Sequence, residues 1–229
     1  MTLSCQRLKP SPMAKPHRSP ASDGMEQLKS AAVRLFAERG IDGVTVRDIT
    51  LAAGQRNHAS IGYHFGSKDE LVRAVIVHGA RLIDELRNDM LDRLEAGGGP
   101  SSAEEVIECL LRSSLPAVSP WDECYNRFVV LIQLSNRSLF MEALEDRWNS
   151  GYLRCLDHIR RLMPGDPPDA LNQKLLFLGA SLGGILAARE SAIADHSRAH
   201  PMWTDDRIIR RAAIALAAMV RSPVAEIAS

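Results

Sequence analysis

Between Val44 and Leu71 the chain reads VTVRDITLAAGQRNHASIGYHFGSKDEL, short stretches of helical pattern cut by Gly54 and Gly66. Thr45 opens the first stretch, with Asp48 three residues on at the spacing of a capping box. Ser67 caps the start of the next long helix, directly after Tyr63-His64-Phe65-Gly66. A short helix, a glycine turn, a second short helix and a capped third form the arrangement by which a chain offers one helix to the DNA major groove.

The remainder leaves little room for any class but all-α. From Asp23 onward there is no period-2 alternation and no Asn-Gly hairpin signal. A first helix is expected from about Asp23 to Arg39, with Leu28, Ala31, Ala32, Leu35 and Phe36 on one stripe and Gly40 as its stop. The second runs from Thr45 to Gly54 and the third from about His58 to Phe65. A fourth, about Lys68 to Glu95, would span about 40 Å at ~1.5 Å per residue, enough to leave one domain and enter another. Gly97-Gly98-Gly99-Pro100 breaks it, and Ser102 with Glu105 opens a fifth. Further helices are expected within Trp121–Ser135, within Leu139–Met163, from about Asp169 to Ala194, and from a Thr204 cap to about Arg221. The domains expected are a disordered basic arm (1–22), a helix-turn-helix domain (23–67), a helical body for effector binding and dimerisation (68–221) and a tail (222–229). Met25 stands near the start of the helical pattern and could itself be an initiator.

Net charge is zero over 229 residues, so composition alone does not suggest nucleic acid; its distribution does. Residues 1–80 carry 11 Lys and Arg against 7 Asp and Glu, a net of +4, while residues 81–229 carry 17 against 21. The basic half is the one that holds the helix-turn-helix pattern. Cys5, Cys109, Cys124 and Cys155 lie far apart with no C-x-x-C pair, which argues for reduced thiols in a cytoplasm. The longest uncharged apolar run lies between Lys174 and Arg189, 14 residues against the ~20 of a membrane helix. The first 22 residues have basic side chains but no apolar h-region, unlike a signal peptide.

Each residue of the segment has a role in this reading. Thr45 caps a helix whose N-terminus, with a free hydroxyl and Arg47 nearby, suits a phosphate. Arg56, Asn57, His58 and Ser60 cluster at the start of the third helix, where arginine and asparagine have donor geometry for guanine and adenine. Tyr63 and His64 flank the groove and donate to phosphates, and Lys68 adds a further phosphate contact. Ile61 and Phe65 are expected to pack inward against Leu35, Phe36 and Ile49.

On these residues the segment resembles the tetracycline-repressor (TetR) family of transcriptional regulators. The matching positions are Glu38-Arg39-Gly40, Thr45, Ile49, Ala53-Gly54, His64-Phe65, Ser67-Lys68 and Leu71. The interval from Gly54 to His64-Phe65 is one residue longer than the common pattern, and Gly62 stands where tyrosine is usual. The resemblance implies a homodimer on a palindromic operator in double-stranded DNA, released or less often recruited by a small-molecule effector held in the C-terminal body. No cofactor is expected, and with no Glu-x-x-His pair no catalytic residue is expected either.

In the C-terminal two-thirds, Gly179/Gly183 and Ala180/Gly184 set small residues four apart on adjacent stripes of one helix, which permits close helix approach. By the resemblance, Gly179 and Gly183 with Ile208, Ala212, Leu216 and Met219 of the last helix form a four-helix dimer interface. An effector pocket would lie near Leu86, Phe128, Leu131, Trp148, Phe177 and Ser181. His196 and His200 are four apart, but no third ligand accompanies them, so no metal site is expected. For an enzyme, the nearest acid–base pair is Asp157-His158, whose side chains point in different directions on a helix. The expectation is a cytoplasmic DNA-binding regulator, more a repressor than an activator, with a helical adaptor acting through protein contacts as the alternative.

Overall fold

The computed structural model describes residues 20–55, 57, 59–115, 122–145 and 147–223. Among them there is no strand. The helices are α1 (Pro20–Arg39), α2 (Val46–Ala52), α3 (Ser60–Phe65), α4 (Lys68–Ala96), α5 (Ala103–Ser113), α6 (Tyr125–Ser135), α7 (Arg137–Leu144), α8 (Ser150–Leu162), α9 (Pro168–Ala194), α10 (Pro201–Thr204) and α11 (Arg207–Arg221), with a 3₁₀ turn at Asp122–Cys124. The basic arm at 1–19 and most of the tail, 224–229, lie outside the described residues. Residues 20–22, expected in the arm, belong instead to α1.

Side-chain caps set several boundaries. Thr45 Oγ1 accepts from the Asp48 amide at 3.2 Å and the Asp48 carboxylate accepts from the Thr45 amide at 2.9 Å, the full capping box. Ser67 and Ser102 accept from the amides of Glu70 and Glu105. The Glu105 carboxylate reaches back one residue further than expected, to the amide and hydroxyl of Ser101. Gly54 and Gly66, at φ 67° and 82°, close the turns after α2 and α3. Two boundaries differ from expectation. The stretch Leu139–Met163 holds two helices, because Glu145 takes the left-handed region at φ 48° and ends α7 where no glycine announces a break. Thr204 does not cap the last helix: its hydroxyl donates to the Pro201 carbonyl inside α10, and α11 begins at Arg207 after Asp206.

Two apolar cores result. One gathers Leu28, Ala32, Phe36, Ile49, Ile61, Leu71, Val75, Ile76, Phe128 and Ile132, so α1–α3, the first half of α4, α6 and α7 share it. Ile61 is buried and Phe65 packs partly against this cluster, as the pattern of Leu35, Phe36 and Ile49 predicted. The second core holds Leu91, Ile107, Leu111, Cys155, Ile159, Leu178, Leu182, Ala213 and Ala217, contributed by the second half of α4 with α5, α8, α9 and α11. The helix α4 therefore runs from one core into the other. Full burial of each large side chain is worth about 1.5–3 kcal/mol, so both ends of α4 are firmly anchored.

Buried polar groups tie these helices at defined points. Asp84 of α4 caps α8, accepting from the Gly151 amide and the Ser150 hydroxyl, each at 2.8 Å. Glu190 of α9 caps α6, accepting from the amides of Asn126 and Arg127 at 2.9 and 2.8 Å. Burial pushes the Glu190 carboxyl above its ordinary value, against the pull of those amides. Arg87, also buried, donates to the hydroxyls of Ser113 and Ser114 at the C-terminus of α5, where a cation complements the helix dipole.

By length and composition alone α9 could cross a bilayer, its 18-residue window reaching a mean hydropathy of 1.3. It carries Lys174 and Glu190 turned into the protein: Lys174 Nζ donates to Asp166 Oδ2 and the Ser222 carbonyl at 2.8 and 2.6 Å. Its other face bears exposed Leu176 and Phe177.

Candidate DNA interface and effector body

The head is α1–α3 with the first turns of α4. Isolated, a six-residue helix such as α3 is unstable; here Ile61 and Phe65 anchor it against the core. The opposite side of α3 carries Tyr63, 83% exposed, with its ring edge-on to His64 at 4.9 Å between centroids. Gly62 lies on the same open side, with no heavy atom within 4 Å of where a Cβ would stand. Gly62 and Tyr63 thus form an outward surface of α3, with half-buried His64 at its edge.

The start of α3 differs from expectation. The helix begins at Ser60, so Asn57 precedes it, in a turn where its Oδ1 accepts from the Ala59 amide at 2.9 Å. That bond uses the amide oxygen and does not involve the two donors of the amide nitrogen. Ser60 is turned inward: it is buried, and its hydroxyl donates to the Asn57 carbonyl at 2.7 Å. Its place is in the turn that starts the helix and not at a base edge. Arg56 and His58 lie outside the described residues.

Thr45 is exposed, but its hydroxyl is not free as expected. It donates to Asp48 Oδ2 at 2.6 Å while accepting the Asp48 amide. These bonds hold the Asp48 carboxyl below its ordinary value, so the N-terminus of α2 already faces an anion. A phosphate there would be drawn by Arg47, which is exposed on the same helix. Lys68 is committed as well: Nζ donates to the Ile41 carbonyl at 2.6 Å, fastening α4 to the turn after α1, with two further donors left.

Two features of this surface escaped the sequence reading. Leu51 is 74% exposed one turn beyond Arg47, an apolar group on an outward face; the i, i+4 spacing from Arg47 was the available signal. Gln55 donates to Gln27 of α1 at 3.3 Å, and a Cβ at Gly24 would stand 3.5 Å from Gln55 Nε2 and 3.7 Å from His64 Nε2. The second turn of α1 therefore lies beside Gln55 and the end of α3.

In the body, the six expected pocket residues are dispersed. Phe128 is fully buried in the first core, its ring stacked 6.0 Å from Phe36. Trp148 packs on that core under the Arg147 guanidinium, 4.6 Å from its ring centroid. Leu131 and Phe177 are exposed, and Leu86 and Ser181 half-buried. None of the six lines the groove of about 340 Å³ between α4 and α5, which is formed by Met90, Arg93, Leu94, Glu105, Glu108, Cys109 and Arg112. Asp157 and His158 point apart, as expected of adjacent helical residues: His158 pairs with Glu95 at 2.8 Å, and Asp157 with Arg160 at 2.7 Å.

The two small-residue stripes of α9 face different ways. A Cβ at Gly179 would stand 3.1 Å from the Tyr152 hydroxyl, and one at Gly183 3.1 Å from Val130 Cγ2, so these glycines admit α8 and α6 of the same chain. The adjacent pair, Ala180 and Gly184, faces out with Leu176 and Phe177. On α11, Leu216 is buried in the second core, and Ile208, Ala212 and Met219 pack against it. The outward side of α11 carries Ile214, Ala215 and Ala218 instead.

Comparison with known proteins agrees with this geometry. Residues 28–75 match the profile of the bacterial regulatory proteins of the tetR family. A stretch of 60 residues is 45% identical to a helix-turn-helix transcriptional repressor of Mycobacterium tuberculosis, covering 26% of this chain and 31% of that relative. The chain thus spans about a third of the length of the curated relatives it matches. Its fold is similar to that of the fatty acid degradation regulator FadR of Bacillus halodurans (TM-score 0.52, 18% identity, 83% of this chain and 96% of that one). It is likewise similar to a tetR-family regulatory protein of Rhodococcus RHA1 (TM-score 0.52, 16% identity, 89% and 98%). The N-terminal segment is thus similar to the tetR family of bacterial regulatory proteins, and the fold of the chain is similar to that of solved regulators described as members of it.

Proposed function

We propose that this protein is a sequence-specific DNA-binding transcriptional regulator that acts in the cytoplasm as a homodimer and represses until a small-molecule effector releases it. The observation that carries the reading is the recognition helix. Its inward residues, Ile61 and Phe65, lock it to the core, and its outward surface presents Tyr63, with half-buried His64 at its edge and Asn57 in the preceding turn. A rigid helix with polar and aromatic groups on its open side suits groove insertion and phosphate contact. The repressor function named for the mycobacterial relative supports the direction of control.

Dimerisation is supported by α9 and α11, which pack on each other and leave Leu176, Phe177, Ala180, Gly184 and Ile214 uncovered. Release is supported by α4, which begins at the head and ends in the second core. An effector that displaces its far end would change the separation of the two recognition helices, and half-site spacing would no longer fit.

The test is selection of bound sequences from random DNA by the purified protein near physiological salt. An inverted repeat is expected. Tyr63→Ala should then weaken binding to every sequence, and Asn57→Ala should relax preference at one position by about 1–3 kcal/mol. Binding without any enriched motif would overturn the reading in favour of an adaptor.

A further inference from the structure

Cys109 of α5 and Cys155 of α8 stand far apart in sequence, and the fold brings them together. Both are buried in the second core, 2% and 0% exposed, and the Cys155 thiol hydrogen-bonds to the Cys109 sulfur. Cys109 Sγ in turn donates to the Arg87 carbonyl of α4 at 4.0 Å. The pair therefore lies where α4, α5 and α8 meet, beside the polar ties that run from Asp84 to α8 and from Arg87 to α5. Cys109 also forms part of the wall of the groove between α4 and α5, with Met90 and Leu94, so it is the member that a small solute reaches first. The bond from Cys155, with the Arg87 and Arg154 guanidinium groups nearby, holds the Cys109 thiol below its ordinary value against the effect of burial. The same bond, and burial, push the Cys155 thiol up. Cys124 is the contrast: burial in the first core, and then the Glu190 carboxyl, push its thiol up to about 12.

We propose that Cys109 and Cys155 are an oxidisable dithiol site for hydroperoxides, whose disulfide ties α5 to α8 beside α4 and lowers operator affinity. The effect on operator affinity rests on the DNA-binding reading above, whereas the dithiol chemistry does not. The Cys109 thiolate attacks the peroxide, whose O–O bond breaks; one oxygen stays on sulfur as a sulfenic acid. The other leaves as alkoxide, or as hydroxide from hydrogen peroxide, and takes up the proton that Cys109 lost. The Cys155 sulfur then attacks the sulfenic sulfur. The S–S bond forms, the S–O bond breaks, and the Cys155 proton leaves with that oxygen as water. Two thiols thus give two electrons to one hydroperoxide, and the products are one disulfide, one alcohol and one water. An S–S bond of about 2.05 Å is far shorter than the contact between two thiols, so α5 and α8 are drawn together. The Cys109 bond to the Arg87 carbonyl is lost at the same time. Arg87 and Asp84 pass the movement into α4, which runs on to the head.

The experiment treats the reduced full chain with a few equivalents of hydrogen peroxide, alkylates the remaining thiols and digests with trypsin. Residues 94–112 and 155–160 should appear as one joined product that dithiothreitol separates. Affinity for the operator selected from random DNA should fall about tenfold on oxidation, an ordinary size for coupling between sites, and return on reduction. Full-length Cys109→Ala and Cys155→Ala should bind operator as the reduced chain does and should not respond to peroxide. Recovery of the two peptides separately, with oxidation at Cys5 or nowhere, would overturn the proposal. So would a complete link between Cys109 and Cys155 with operator affinity unchanged. A reduced chain that binds no selected DNA would remove the DNA-binding reading, and the dithiol site would then stand or fall on the peptide map alone. If the alanine variants do not fold, the map and affinities of the parent chain decide, because they need no variant.

Discussion

Single residues in the head answer for both stability and recognition. Thr45 closes a capping box with Asp48, and Thr45→Ala removes one accepting and one donating bond. The expected cost is about 1 kcal/mol, read as a lower midpoint in urea unfolding with an unchanged slope. Gly62 gives the opposite sign. It lies inside α3, pays the entropic penalty of glycine, and has open space around its missing Cβ. Gly62→Ala should stabilise the free protein by about 0.5–1 kcal/mol, and a lower melting temperature for the variant would show that α3 is strained there. The cap at Thr45 was legible because the T-x-x-D spacing states it. The commitment of its hydroxyl to Asp48 was not, since that depends on side-chain torsions the spacing leaves open. Lys68 is similar: its charge is written in the sequence, but its bond to the Ile41 carbonyl depends on how α1 and α4 meet.

At the scale of elements, α4 and α6 meet at a contact that ties head to body. The Tyr125 ring lies over Gly79, where a Cβ would stand 2.3 Å from two ring carbons, and its hydroxyl donates to the Ile76 carbonyl at 2.8 Å. Gly79→Ala should destabilise by about 1–3 kcal/mol through overpacking. Combined with Tyr125→Ala, which empties that space, the loss should be smaller than the sum of the two single losses. Additive losses would mean the ring does not set the approach of these helices. One residue beyond Tyr125, Glu190 caps α6 from α9, and its carboxyl is raised by burial. Between the ordinary glutamate value and this raised one, the folded protein holds a proton that the unfolded chain gives up. Stability therefore falls as pH rises across that window, and Glu190→Gln should flatten the dependence in thermal melts at stepped pH. Element order and most caps could be read from periodicity. The inward side of α9 could not, because Gly179/Gly183 and Ala180/Gly184 are equivalent until Tyr152 and Val130 are in place.

For the whole molecule, the question is what covers the outer side of α9. Exposed Leu176 and Phe177 stand beside Ala180 and Gly184, small residues that let another helix approach closely. Apolar groups left in water each forgo roughly 25 cal/mol for every Å² that could be buried, so a second copy on this side has a definite driving force. The proposed function would add a requirement, since an inverted-repeat operator needs two heads at fixed separation. Phe177→Glu places a charge at the centre of that surface, where burial without a partner costs several kcal/mol. The variant should keep its helicity and run as a monomer in light scattering at micromolar concentration, where the parent chain should run at twice the mass. Its operator affinity should fall far more than its affinity for a single half-site, because each head still folds on its own core. If Phe177→Glu remained dimeric, the seam would lie elsewhere on the body. If the parent chain were itself monomeric at that concentration, two heads could meet only on the operator, and the Phe177 surface would show instead as lost cooperativity between half-sites.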